Sequence, residues 1–108
     1  MNPATGQNEF NLMSESQEIA MGLQAAQQVA AQMGGYTDTV WQGYVSRLGL
    51  DLAAKSERPQ LPWHFTVVDD PQVNAFALPG GQIYITRGIL ANMNSEAELA
   101  GVLGHEIG

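Results

Sequence analysis

His105 and Glu106 stand side by side in the run His105-Glu106-Ile107-Gly108. An imidazole can ligate a metal ion, and a neighbouring carboxylate can accept and return a proton. The run reads as the first four positions of H-E-x-x-H. In that motif a helix carries residues i and i+4 on one face, so two imidazoles reach one Zn²⁺ at about 2.0–2.1 Å. The glutamate does not ligate. It takes a proton from a water whose pKa the metal has lowered toward about 7, then delivers it to the leaving amine. In this scheme His105 is the first ligand and Glu106 the general base.

Such chemistry needs a helix beneath it. Ser95 reads as an N-cap, with Glu98 closing a capping box. Leu99, Val102, Leu103 and Ile107 then give one aliphatic face. Gly101 and Gly104 each cost about 1 kcal/mol relative to Ala in a helix interior, which suggests another backbone packed closely there. Glu96 and Glu98 read as first-turn charges favourable to the helix dipole. A His-Glu pair on a helix is common, so the dipeptide alone is weak evidence; the aliphatic-glycine context strengthens it. His64, on a strand, reads as a surface or packing residue rather than a ligand.

The elements upstream follow from caps, periods and breakers. Residues 1–13 are polar, with glycine and proline, and read as an extended arm. A helix is expected from about Ser14 to Met33, with Ser14 and Gln17 as a capping box and Gly34-Gly35 as its stop. Its apolar face is Ile19, Leu23, Ala26, Val29 (or Ala30) and Met33. A second helix is expected from Thr39 to Ser56 with Asp38 as N-cap. Val40, Tyr44, Leu48 and Leu52, or Val45 and Leu50, would line its buried side, and Trp41 and Tyr44 read as core packing. Two prolines make residues 57–62 a loop. Strands are expected over 63–69, 73–78 and 82–87, with Pro79-Gly80-Gly81 as the tight turn between the last two. Residues 88–93 read as a short helix or turn. The fold class is α+β: two helices, a small, mostly antiparallel three-stranded meander, then a last helix.

Composition narrows the function. The 108 residues carry four basic and eleven acidic side chains, a net charge of −7. That argues against a nucleic-acid partner and against electrostatic docking to anionic lipid. No cysteine is present, which excludes disulfides and thiolate zinc sites. No apolar run approaches the ~20 residues of a membrane span. The first ten residues have neither a basic start nor an apolar stretch, so no signal peptide is expected in them.

Three stretches carry a resemblance: Asn2 to Gly6 with Leu12-Met13-Ser14, Val73 to Gly88, and Glu96 to Gly108. Together they resemble the HtpX-like zinc metallopeptidases, peptidase family M48, in particular its bacterial periplasmic, BepA-like branch. The resemblance implies a gluzincin, in which H-E-x-x-H gives two ligands and a glutamate on a later helix the third. It implies that His105 binds Zn²⁺ and that Glu106 is the catalytic base. Asn74, Ala75 and Phe76 would lie on the upper rim of the cleft and pair with an extended substrate by β-augmentation. Ordinary strand packing is the other reading of Asn74 and Phe76. Residues 14–108 would form the N-terminal part of a zincin-like domain.

The expected activity is zinc-dependent endoproteolysis of extended or unfolded proteins, in protein quality control of the bacterial envelope. The compartment, periplasmic or membrane-associated, follows from the resemblance alone. The second histidine and the third ligand are not among the 108 residues, and catalytic zinc uses three protein ligands plus water. This chain is therefore expected to bind zinc weakly or not at all, to be inactive by itself, and to self-associate through exposed apolar surface. The competing reading is a non-catalytic, chaperone-like module that binds extended clients along residues 74–78.

Overall fold

The computed structural model describes residues 13–34 and 38–108. The arm read over residues 1–13 falls outside them except for Met13. The elements are α1 (Glu15–Met33), α2 (Thr39–Ala54), β1 (His64–Val68), β2 (Ala75–Leu78), β3 (Gln82–Thr86), α3 (Arg87–Ala91) and α4 (Glu96–Ile107). The α+β class holds. The three strands form one sheet in the order β1-β3-β2.

The sheet is mixed rather than a meander. β2 pairs with β3 antiparallel through the Pro79–Gly81 turn, as expected, but β1 runs parallel to β3. Burial explains the order. All five residues of β3 are buried, so β3 takes the centre and separates β1 from β2. Hydropathy alternation marks strands but does not name their neighbours.

The core lies on the face formed by Phe65 and Val67 of β1 and Ile83 and Ile85 of β3. Val45 and Ala53 of α2, Ile89 and Leu90 of α3, and Leu99 and Leu103 of α4 close over it. Asp38 caps α2 by accepting from the N–H groups of Val40 and Trp41 at 3.0 and 3.2 Å. The buried line of α2 is Val45, Gly49 and Ala53, flanked by Tyr44, Leu48 and Leu52. Val40 and Leu50, expected inside, are exposed. So is Trp41, which meets Tyr44 edge to face at 5.9 Å. The close packing of Gly49 on the Phe65 ring rotates α2 toward its small residues.

Helix α1 begins with the expected capping box, Ser14 and Gln17 exchanging bonds of 3.0 and 3.1 Å. Its buried residues are Glu18 and Gly22, not the apolar stripe. Leu23, Ala26, Val29 and Ala30 instead line an open groove over the second face of the sheet, facing His64, Thr66, Val68 and Tyr84. No helix among the described residues is long and apolar enough to cross a membrane.

Candidate active site

Helix α4 carries the His-Glu pair. Ser95 caps it, accepting from the Glu98 N–H at 3.2 Å. The Glu98 carboxylate accepts from the Asn94 N–H at 2.8 Å, one residue earlier than a standard capping box requires. Glu96, in the first turn, accepts from the Tyr44 hydroxyl at 2.5 Å, which ties α4 to α2. That bond, with the negative charge beside it, raises the Tyr44 pKa above the ordinary phenol value. Leu99 and Leu103, one turn apart, are buried and fix the rotation of the helix.

The rotation turns a second stripe outward. Glu98, Gly101, Val102 and His105, spaced three and four apart, line a groove whose other wall is Val73, Asn74 and Ala75. His105 is exposed there and Glu106 half-buried. Glu106 also borders a neighbouring hollow, with Arg58, Ala77, Leu78, Pro79 and Gly80. It therefore sits between the two ends of β2. The backbone expected against Gly101 and Gly104 is absent among the described residues; a Cβ at either would meet open space. Gly101 keeps the groove wide instead.

Of the three rim residues read from sequence, Asn74 and Ala75 reach this groove and Phe76 does not. Phe76 points to the other face of the sheet and stacks on Tyr84, ring centres 5.0 Å apart. The two faces alternate along a strand, so 75 and 76 cannot both face α4. Desolvation beneath that stack raises the Tyr84 pKa.

The ladder shows which backbone groups are free. The Thr86 N–H donates to the Asn74 carbonyl at 3.1 Å, and Ala75 stands opposite Ile85. In an antiparallel pair, bonded and non-bonded positions alternate. Asn74, Phe76 and Leu78 thus turn their backbone groups to β3, while Ala75 and Ala77 turn theirs to the outer edge. No described residue bonds to those edge groups. Sequence reading placed Ala77 within the stretch 74–78 but did not single it out; its outward backbone groups follow only from register. It missed Thr86, whose buried hydroxyl donates to the Gln72 carbonyl and accepts from the N–H groups of Asn74 and Ile89.

His105 and Glu106 fit the ligand and base positions of the expected zinc chemistry, adjacent on an exposed helix face. No group of three His, Cys, Asp or Glu side chains that could hold a metal occurs among the described residues. His64 lies in the groove on the opposite side of the sheet, bonded to Thr66 at 3.2 Å, away from this pair.

Residues 40–108 match Peptidase family M48, which includes β1 to β3 and the whole of α4. The chain belongs to that family. Over 97% of its length it is 34% identical to the Beta-barrel assembly-enhancing protease of Yersinia pestis, covering 22% of that protein. The protein of the same name from Escherichia coli strain K12 is 28% identical over the same 97%, again 22% of its length. The Mitochondrial metalloendopeptidase OMA1 of Schizosaccharomyces pombe is 36% identical over 96% of the chain and 32% of its own length. The chain thus spans between a fifth and a third of these curated relatives.

Proposed function

We propose that this chain is the part of a zinc-dependent metalloendopeptidase that presents the substrate edge, one zinc ligand and the general base. The observation that carries the proposal is the placement of His105 and Glu106 on the groove wall opposite the free edge of β2. Family membership and relatives named metalloendopeptidases support it. A histidine four positions beyond His105 would fall on the same outward stripe of the helix.

The residues have separate tasks. Ala75 and Ala77 offer edge N–H and C=O groups to an extended chain, whatever its side chains, so sequence preference is loose. Asn74 adds an exposed amide on the groove wall opposite His105. His105 is the ligand. Zinc, when bound, supplies Lewis acidity for water and for the scissile carbonyl. Glu106 holds the proton taken from water and passes it to the leaving amine. Phe76 serves the edge indirectly, through its stack under Tyr84.

The substrates are extended or unfolded proteins. The name of the bacterial relatives, Beta-barrel assembly-enhancing protease, supports a role in envelope protein quality control, for which the expected site of action is periplasmic or membrane-associated. With four basic and eleven acidic residues, a nucleic-acid partner is disfavoured. The 108 residues alone are expected to hold zinc weakly, to lack peptidase activity, and to self-associate along the open edge.

The test is digestion of unfolded casein by the whole protein with its metal. Glu106→Gln is expected to lower the rate by about 10²–10⁴-fold, as loss of a general base does. Undiminished cleavage by that variant would sink the catalytic assignment. Casein binding without cleavage by the wild type would favour a chaperone-like module, a reading that the free β2 edge also supports.

A further inference from the structure

Helix α1 docks through residues that a helix normally turns to water. Glu18 keeps only 7% of its surface exposed. Its carboxylate accepts from Arg58 Nη1 and Nη2 at 3.1 and 2.9 Å. Its Oε2 also accepts from the Gly80 backbone N–H at 3.1 Å. A carboxylate this deep is tolerable because every partner is supplied; unpaired, it would be strongly unfavourable.

The backbones interlock beside this ion pair. A Cβ on Gly22 would lie 1.8 Å from the Pro79 carbonyl oxygen. One on Gly80, itself at φ +80°, would lie 2.7 Å from the Ile19 Cα. Helix and turn therefore meet at a distance that only two glycines permit, and the Glu18–Arg58 pair fixes their relative position.

The turn held in this way ends β2. Ala77, with its free edge groups, lies two residues before Pro79. Arg58, Pro79 and Gly80 border the same hollow as Glu106. The height of the open edge over Glu106 is thus set from α1, a helix that precedes the stretch matched to the family.

We propose that Glu18 and Arg58 are positioning residues whose ion pair, seated on the Gly80 N–H, holds the β2 edge where an extended chain can bind above Glu106. The proposal rests on the reading of β2 as the client-binding edge, but not on cleavage.

The experiment measures binding of unfolded α-casein to the whole protein carrying Glu106→Gln, by fluorescence anisotropy, with thermal unfolding followed in parallel. Adding Glu18→Gln or Arg58→Met is expected to raise the casein Kd about tenfold, as small misplacements of a binding element do. Arg58→Lys keeps the charge without the two-pronged contact, and an intermediate Kd is expected. Asp51→Asn, which breaks an exposed ion pair with Lys55, is expected to leave the Kd unchanged. Variants that lose thermal stability yet bind casein with the parent Kd would overturn the proposal and leave a structural staple. Should Glu18→Gln fail to fold, Arg58→Lys decides by the same criterion. Absence of casein binding in the Glu106→Gln protein itself would remove the edge reading and this proposal together. Failure of the catalytic reading shows separately, as wild-type cleavage that Glu106→Gln does not diminish.

Discussion

The sheet has two outer edges, and the protein treats them in opposite ways. β1 turns the Phe65 carbonyl and the Val67 N–H outward, and the Gln42 side chain meets both. Its Nε2 donates to the Phe65 oxygen at 2.7 Å, and its Oε1 accepts from Val67 at 3.0 Å. One amide stands in for a missing strand. β2 turns out the equivalent groups of Ala75 and Ala77, and no described residue answers them. An unpaired edge invites aggregation, and proteins usually blunt it. Here a side chain from α2 closes the middle of one edge, while among the described residues the edge beside His105 and Glu106 stays open. The contrast agrees with the proposed role of the β2 edge in binding an extended chain.

Opening the closed edge is the harshest way to break this comparison. Gln42→Ala would orphan the Val67 N–H and leave the Phe65 oxygen only the longer 3.4 Å bond from the Ser46 hydroxyl, at a cost of about 2 kcal/mol in chemical denaturation. It should also promote association, visible by sedimentation. If stability and association both stay unchanged, Gln42 is not the cap described here.

Spoiling the open edge should do the reverse. Ala77→Pro removes an N–H that takes no part in the β2–β3 ladder, and proline is tolerated at edge positions of this kind. Casein binding is expected to weaken about tenfold, or ~1.4 kcal/mol, with a smaller loss of stability. Equal losses from Ala77→Pro and from proline at an exposed site away from the edge would argue against a binding role.

Acid should act on the turn that ends the open edge. The Arg58 guanidinium holds the Glu18 carboxyl below its ordinary value of 4.5, opposed by burial and helped by the Gly80 N–H. A depressed folded-state pKa stabilises the fold above the unfolded value and loses that contribution as pH falls through the folded one. Thermal stability should therefore fall as pH drops below about 4.5. In Glu18→Gln that acid-dependent loss should be smaller. Identical acid profiles for the two proteins would rule the group out.

The smallest effect concerns the helix beside the open edge. Gly104 faces open space, so Gly104→Ala should stabilise by up to about 1 kcal/mol, measurable as a rise in Tm. A destabilisation would show that a neighbour does pack there.

The sequence made the elements legible wherever a local signal existed. Ser14 with Gln17, Asp38 and Ser95 marked helix starts, and Pro79-Gly80-Gly81 marked the hairpin turn. His105 and Glu106 were legible because adjacent residues on a helix need no knowledge of the rest of the chain. Pairing partners were not. β1 alongside β3 depends on which strand is buried on both faces, and alternation is silent on that. The buried side of α1 misled for a related reason. Glu18 and Gly22 are the residues a hydropathy count discards, and their partners Arg58 and Pro79 are distant in sequence. Ala77 could not be singled out within residues 74–78, because the availability of its backbone follows from register alone, while its side chain carries no chemistry.

Thr86 gives the open edge a further property. Its side chain is fully buried, and its one oxygen joins the Gln72 carbonyl, the Asn74 N–H and the first turn of α3. The start of β2 is thereby moored to β3 before any partner arrives, as its end is moored at Gly80 by Glu18. A strand anchored at both ends has little configurational freedom left to lose on association. In the proposed binding mode the entropy lost on docking would fall mainly on the incoming chain, favouring partners that are already extended over those that must first unfold.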